Sequence, residues 1–163
     1  MIQPLTFKFL APTDCPLLHQ WLQLPHVRAF WDDGLRTPDQ VQQYYFQDNG
    51  VLRFLFFIKE EAAGYIQTYR IAPQDPYGAY MLPAKENWGL DFFIGNEQFL
   101  NQGLAGTILK EFIATHCQTA ARVIVDPEPR NKKAIHVYEK FGFIKIGFLR
   151  LANKDHELMA IDL

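Results

Sequence analysis

The stretch FLNQGLAGTILKEF (99–112) places three small residues, Gly103, Ala105 and Gly106, directly before an amphipathic helix. Small side chains leave backbone N–H groups uncovered at a helix start, where the first donors lack helical partners and the dipole is positive. Such a helix start suits an anion, and phosphate is the usual one. The alternative is that these residues only let the chain turn tightly or pack closely.

Two aspartates lie within or directly after apolar strands. Asp91 places a carboxylate in the otherwise apolar GLDFFIG, and Asp126 ends the next core strand before Pro127. A carboxylate can bind an alkylammonium group and accept the proton that the amine must lose before it attacks. A charge within an otherwise apolar strand makes Asp91 a candidate for such a role, with an outward-facing aspartate on the solvent side of the strand as the alternative. Asp126 either orients the ammonium group or caps the coming turn.

The segment NKKAIHVYEKF (131–141) predicts a helix with Asn131, Ala134 and Tyr138 on one face. Tyr138 is either a core residue with a satisfied hydroxyl or a general acid. Asn131 is the expected N-cap of the helix. The neighbouring Lys133 either contacts a phosphate or stays in solvent.

Residues suited to an amine acceptor lie in two further segments. The motif FWDDG offers Trp31 as an aromatic wall and Asp32 and Asp33 as anionic contacts. The loop 73–87 holds three prolines, is long enough to suspect a lid, and adds Tyr80. The alternatives are an acidic turn and a mobile surface loop.

Length and composition fit one globular domain. The 163 residues are 48% hydrophobic and 21% charged, with no repeat and no apolar run that could cross a membrane. The N-terminus lacks a signal-peptide pattern, so a single cytoplasmic domain over residues 1–163 is expected. The net charge of -2 argues against a broad nucleic-acid-binding face. Neither the two cysteines nor the five histidines show metal-ligand spacing, so no metal is expected.

Periodicity predicts a mixed α/β fold in the order β-α-α-β-β-β-α-β-α-β-β. Strands are predicted at 5–10, 52–59, 63–72, 88–96, 121–128, 143–151 and 157–163. Helices are predicted at 13–24, 37–47, 104–117 and 131–141. The second and third strands form an antiparallel hairpin with its turn at Glu60 and Glu61.

Two motifs, in this order, resemble the GCN5-related N-acetyltransferase (GNAT) superfamily. LNQGLAG resembles its acetyl-CoA loop, Arg/Gln-x-x-Gly-x-Gly/Ala, with Leu100 where Arg or Gln is usual. This departure removes a side chain but no backbone donor. NKKAIHVYEKFGF resembles the second motif, and HVRAFW, GLDFFIGN and VIVDPEPRNKKAIHVYEKFGF are most similar to the aminoglycoside 6'-N-acetyltransferases.

The resemblance implies a GNAT fold: a central, mostly antiparallel sheet of about seven strands, splayed between the fourth and fifth strands and flanked by about four helices. It implies acetyl-CoA as the donor, with its pantetheine arm in that opening. It also implies Asp91 as the base and Tyr138 as the acid that protonates the leaving thiolate. The implied cofactor-binding residues are Phe93, Ile94, Gln102, Gly103, Leu104, Ala105, Gly106, Thr107, Asn131, Lys133, Ala134 and Tyr138.

The resulting hypothesis is an acetyl-CoA-dependent N-acetyltransferase for a primary amine of a small cationic, aminoglycoside-like acceptor, with antibiotic resistance as the associated role. Direct attack in a ternary complex needs no protein nucleophile. Alternatives are acylation of a siderophore-precursor or protein N-terminal amine, and a non-catalytic acyl-CoA-binding sensor. A monomer or homodimer without nucleic-acid or membrane partners is expected. The predicted acceptor contacts are Trp31, Asp32, Asp33, Tyr80, Asp91 and Asp126.

Overall fold

The computed structural model describes residues 4–163 and contains one seven-stranded sheet. The strands are β1 (Leu5–Phe9), β2 (Leu52–Ile58), β3 (Glu61–Arg70), β4 (Asn87–Ile94), β5 (Arg122–Val125), β6 (Ile144–Leu151) and β7 (Lys154–Asp162). The α-helices are α1 (Cys15–Leu22), α2 (Pro25–Arg28), α3 (Pro38–Tyr45), α4 (Ala105–His116) and α5 (Lys132–Phe141). The order within the sheet is β1-β2-β3-β4-β5-β7-β6.

The predicted mixed α/β order is confirmed, with all seven strands and all four predicted helices in place. The helix α2 was not predicted, because a single turn is too short to show helical periodicity. The hairpin turn was predicted one residue too late. Lys59 and Glu60 take left-handed φ values of 50° and 65°, as a two-residue hairpin turn requires, and Glu61 already belongs to β3.

Strands β4 and β5 run parallel, but they pair with each other over only a short stretch. It joins Asn87 to Arg122, Trp88 to Val123 and Gly89 to Ile124. Strand β4 continues to Ile94, beyond this paired stretch. This geometry agrees with the predicted splay between the fourth and fifth strands. The pairs β1–β2, β5–β7 and β6–β7 are antiparallel.

The chain divides into two compact units. The first comprises the chain up to Gln67 together with Phe92–Leu104. Its core is built on α1, α3 and the strands β2 and β3, with Leu18, Val41 and Tyr65 fully buried. Helix α3 begins as predicted: the Thr37 hydroxyl accepts from the Gln40 amide while the Gln40 side chain accepts from the Thr37 amide.

The second unit comprises Thr68–Asp91 and Ala105–Leu163. Helix α4 buries Ile108, Leu109, Phe112 and Ile113, the apolar face that its periodicity predicts. Helix α5 buries Ile135 and Tyr138 and ends at Gly142, whose φ of 122° suits glycine. Within residues 4–163, none of the helices has the length and apolarity needed to cross a bilayer.

Candidate active site

Two carboxyl groups lie together in the second unit, one contributed by each of the parallel strands β4 and β5. Asp91 lies in the second half of β4, and Asp126 directly follows the last residue of β5. A hydrogen bond between the two side chains lowers the pKa of Asp126. The structure thus brings together the two aspartates that were predicted to bind and deprotonate an amine.

A tyrosine and a histidine also meet Asp126. The Tyr77 hydroxyl donates a hydrogen bond of 2.8 Å to Oδ2 of Asp126. His156 Nδ1 lies 2.8 Å from the backbone oxygen of Asp126 and 3.6 Å from Oδ2. The Tyr69 hydroxyl is in turn hydrogen-bonded to Tyr77. The pair is therefore the centre of a polar cluster drawn from five parts of the chain.

Burial is the main influence on the protonation of this pair. It raises the pKa of Asp126, whereas the hydrogen bonds from Tyr77 and Asp91 act in the opposite direction. The Asp126 side chain is 16% exposed, so water solvates its charge only in part. The pair therefore holds a proton at a pH where an exposed aspartate is already ionised.

Tyr138 of α5 lies within electrostatic range of the two carboxyls. Burial raises the pKa of its phenol, and the negative charges of Asp91 and Asp126 raise it further. The phenol is therefore protonated and available as a proton donor. Asn131, the residue before α5, is confirmed as the N-cap because its Oδ1 accepts from the Ala134 amide at 3.2 Å.

The segment before α4 presents open backbone, as a bound phosphate requires. Gly103 has a φ of 69°, and a β-carbon added at either Gly103 or Gly106 would meet no atom within 4 Å. The first turn of α4 holds no acidic residue, so no carboxylate competes for its amides. The residues around this helix start therefore fit the diphosphate of an acyl-coenzyme A.

Other residues predicted at the cofactor take ordinary positions around this segment. The side chain of Gln102 donates to the backbone oxygen of Gln98, Thr107 and Lys133 are exposed, and Leu104 and Ala105 are half-buried. In the first unit, Phe93 stacks on Tyr65 at 5.6 Å between ring centroids. The backbone oxygen of Ile94 lies 2.8 Å from His26 Nε2.

The predicted acceptor residues of the FWDDG motif lie in the first unit. Trp31 is half-buried, and its indole Nε1 donates to the Tyr45 hydroxyl at 2.9 Å. Asp32 forms an ion pair with Arg36, whereas the exposed Asp33 accepts from the Leu35 amide at 2.9 Å. A cavity of about 490 Å³ is lined by Asp32, Asp33, Leu35, Arg36, Gln40, Gln43, Tyr44 and Gln47.

The loop between β3 and β4 contacts the carboxyl pair through a different tyrosine from the one predicted. The hydroxyl of Tyr80, the residue predicted to contact the acceptor, donates to the backbone oxygen of Phe148 at 3.2 Å. Tyr77 of the same loop reaches Asp126. The sequence offers Tyr77 only as an aromatic side chain of this loop, and no local pattern marks Tyr69 or His156. Strand pairing and loop packing bring them to the site.

The mixed sheet with a short β4–β5 pairing, the two carboxyls and the helix start without nearby side chains form the arrangement that the sequence motifs predict for an acyltransferase. A family model described as the acetyltransferase (GNAT) domain matches residues 11–151. The chain therefore belongs to the GNAT family of N-acetyltransferases.

Individual relatives are distant. The aminoglycoside N(6')-acetyltransferase type 1 of Klebsiella pneumoniae is 23% identical over 160 residues, which cover 87% of this chain and 75% of the relative. The lysine N-acyltransferase MbtK of Mycolicibacterium paratuberculosis is 24% identical over 164 residues, covering 98% of this chain and 74% of the relative.

The fold matches a solved aminoglycoside acetyltransferase. The structure of AAC(6')-Ib with coenzyme A and kanamycin superposes with a TM-score of 0.82 at 24% identity, covering 98% of this chain and 95% of that protein. A further structure of the same enzyme contains acetyl-CoA. At this identity the match shows the fold alone.

Proposed function

We propose that the protein transfers the acetyl group of acetyl-CoA to a primary amine of a small cationic, aminoglycoside-like acceptor. The observation that carries the proposal is the Asp91–Asp126 pair, which lies within electrostatic range of the phenol of Tyr138. Residues 1–163 act as one catalytic domain, and the cytoplasm, which supplies acetyl-CoA, is its compartment.

The carboxyl pair binds and deprotonates the acceptor. An alkylammonium ion has no lone pair with which to attack a thioester, so its proton must leave first. The anionic member of the pair attracts the ammonium group and takes one of its protons. An N–H bond breaks and an O–H bond forms, so an ion pair becomes a neutral amine beside two neutral carboxyls.

Tyr138 protonates the leaving thiolate. Its phenol stays protonated because burial and the neighbouring carboxylates raise its pKa. It donates that proton to the sulfur when the thioester bond breaks. The phenolate is reprotonated by the second proton that the nitrogen loses as the amide forms, and the first proton leaves the carboxyl pair for solvent. No covalent acyl-enzyme is needed, because the amine attacks directly in a ternary complex.

The start of α4 holds the donor. Acetyl-CoA supplies the activated acetyl thioester when bound. The backbone amides of Gly103, Ala105 and Gly106 donate hydrogen bonds to its diphosphate, in space that is free around the two glycines. The first turn of α4 holds no acidic side chain that would compensate the helix dipole. Asn131 and Lys133 at the start of α5 are further proposed contacts.

The test is the release of free coenzyme A from acetyl-CoA with a panel of amines that includes kanamycin, lysine and spermidine. Kanamycin turnover supports the proposal, and Asp91→Asn is expected to lower turnover by about 10²–10⁴-fold with acetyl-CoA binding retained. Asp155→Asn is the matched control, because Asp155 is 64% exposed in a surface ion pair with Arg150. Acetyl-CoA binding without turnover of any amine favours the sensor alternative.

A second candidate is acylation of a lysine side chain, as in siderophore assembly. It is favoured by the similarity to the lysine N-acyltransferase MbtK, which extends over 98% of this chain. The same panel separates the two candidates, because lysine derivatives and aminosugars are offered side by side. Turnover of the lysine derivative alone assigns this second function.

A further inference from the structure

The 73–87 loop, which the sequence suggests as a lid, is attached to the sheet at its middle. Tyr80 lies there, at the end of the short 3₁₀ turn Gly78–Tyr80. Its hydroxyl donates to the backbone oxygen of Phe148 in β6 at 3.2 Å. Its backbone oxygen accepts from Nη1 of Arg122 in β5 at 2.9 Å. A single residue of the loop therefore contacts two strands of the second unit.

Gly147 provides the space for the Tyr80 ring. A β-carbon added at Gly147 would overlap the ring carbons and the hydroxyl oxygen of this tyrosine. The pairing of β6 with β7 also shifts by one residue between Lys145 and Gly147, and such a bulge changes the direction of a strand locally. The ring therefore packs directly on the backbone of β6, which glycine permits.

Arg122 adds a second, well-oriented attachment. Its Nε and Nη2 donate to the two carboxylate oxygens of Asp162 at 2.6 Å and 3.0 Å. This two-point contact fixes the plane of the guanidinium group, so Nη1 has a defined direction toward the Tyr80 backbone oxygen. The Arg122 side chain is 16% exposed, so water competes little for these bonds.

The turn that carries Tyr80 also carries Tyr77. The Tyr80 amide donates to the backbone oxygen of Tyr77 at 2.9 Å, which closes the turn between the two tyrosines. The Tyr77 hydroxyl donates to Oδ2 of Asp126 at 2.8 Å. Both tyrosines pack against one buried apolar cluster, which consists of Ile71, Ile124, Leu158 and Ala160. A displacement of Tyr80 therefore also displaces the hydroxyl that contacts Asp126.

We propose that Tyr80 is a positioning residue: packed against Gly147, it keeps the 73–87 loop as a fixed wall of the acceptor site and holds the Tyr77 hydroxyl on Asp126. This inference rests on the proposed function, in which the Asp91–Asp126 pair binds the acceptor ammonium group. A carboxyl that already has its direction needs no reordering when the acceptor binds. Tyr80 acts on the reaction through Tyr77.

NMR of the full-length protein labelled with ¹³Cζ-tyrosine, without any acceptor, tests this attachment. The ζ-carbon bears the hydroxyl and reports its hydrogen bond, and Tyr77→Phe identifies the Tyr77 signal. Asp126→Ala shows where that signal lies when the partner carboxyl is gone. In Tyr80→Ala the Tyr77 signal is expected to move to this same position. Gly147→Ala is expected to move it in the same direction, because the added methyl group displaces the Tyr80 ring.

Phe148→Ala is the matched control. It removes an aromatic ring from the residue next to Gly147, but this side chain is 65% exposed and successive side chains of a strand point to opposite faces. The backbone oxygen that accepts from Tyr80 remains. The Tyr77 signal is expected to keep its wild-type position in this variant. It is also expected to stay in Tyr80→Phe, which retains the ring and the backbone contacts.

A Tyr77 signal that stays at its wild-type position in both Tyr80→Ala and Gly147→Ala overturns the proposal. The amide spectrum of each variant reports its folding. Tyr80→Ala changes a half-buried side chain of a loop, so it decides the question if Gly147→Ala does not fold. Amide exchange in the 73–87 loop is expected to become about tenfold faster in Tyr80→Ala, while exchange in α4 keeps its native rate. Equal acceleration in both segments means a general loss of stability and contradicts the proposal.

Kinetics give a further readout once an acceptor is known. Tyr80→Ala and Tyr77→Phe are each expected to lower kcat/KM for the acceptor by about tenfold, with the KM for acetyl-CoA unchanged. Because Tyr80 acts through Tyr77, the double variant is expected to be no slower than the slower single variant. Independent effects would multiply to a loss of about a hundredfold, which contradicts the proposal. The NMR measurement needs no acceptor, so silence in the amine panel contradicts the proposed function alone.

Discussion

The ring of Tyr69 lies over the backbone of Gly89, so closely that a β-carbon added at Gly89 would come within 2.3 Å of two ring carbons. Gly89 lies two residues before Asp91 in β4, and its backbone oxygen accepts from the Thr68 hydroxyl at 2.7 Å. The glycine in GLDFF therefore makes room for the tyrosine that directs Tyr77 toward Asp126.

Replacing this glycine tests that packing. Gly89→Ala is expected to displace the Tyr69 ring, and to lower the free energy of unfolding by about 1–3 kcal/mol, as overpacked cores do. It is also expected to reduce kcat by about tenfold, because a misplaced ring no longer aligns the donors to Asp126. Urea unfolding and a steady-state assay measure the two effects. Wild-type stability in this variant contradicts the close contact.

Tyr138→Phe tests the proton donor to the leaving thiolate. Loss of the hydroxyl is expected to lower kcat by about 10²-fold, the usual contribution of a general acid, while acetyl-CoA affinity stays the same. Because the pKa of Tyr138 is raised, ionisation of this phenol removes no activity of the native enzyme at neutral or mildly basic pH. Single-turnover release of coenzyme A measures the step. A native rate in Tyr138→Phe leaves this residue a structural role only.

Gly106→Glu separates the stability of α4 from anion binding at its start. A carboxylate in the first turn interacts favourably with the helix dipole, so the melting temperature of the variant is expected to stay level or rise. The same charge repels a diphosphate, so the Kd for coenzyme A is expected to increase by about tenfold or more. Space is available, since no atom lies within 4 Å of a β-carbon at this glycine.

Lys110→Gln at an exposed position of the same helix is the control for net charge, because it also changes the charge by one unit. Calorimetry of coenzyme A binding compares the two variants. Equal affinities in both would place the phosphates somewhere other than the start of α4.

The Asp91–Asp126 pair predicts a pH-dependent stability difference. Burial raises the pKa of Asp126 above the 3.8 of an unfolded aspartate, so the folded chain binds this proton more tightly than the unfolded chain. The resulting stability is complete below that ordinary value and is lost as the pH rises through the higher folded value. The free energy of unfolding of the native chain, minus that of Asp126→Asn, is therefore expected to fall from acid to neutral pH.

Urea titrations of both proteins at several pH values measure this difference. Asp155→Asn provides the baseline, because that carboxylate is exposed beside Arg150. A difference that grows toward neutral pH means that Asp126 is stabilised as an anion by more than its burial costs.

Much of the fold follows from local sequence, because alternation, helical spacing and end signals act within one element. The Thr37–Gln40 capping box, the Asn131 cap and the buried stripe of α4 were all predictable in this way. Local signals also placed Asp91 in β4 and Tyr138 in α5, whereas Asp126, predicted to end the fifth strand, directly follows β5. Such patterns could not predict the single-turn helix α2 or the exact position of the hairpin turn, because each depends on too few residues to show a period.

The amino-acid sequence by itself determined the elements, their order and the family motifs, because each depends on residues close together along the chain. Only the tertiary structure decided which polar groups meet. Tyr77 lies 49 residues from Asp126, and His156 lies 30 residues from it, so their contacts depend on strand order and on the path of the 73–87 loop. The carboxyl pair is also buried only in the tertiary structure, because water leaves Asp126 only when the surrounding elements pack against it.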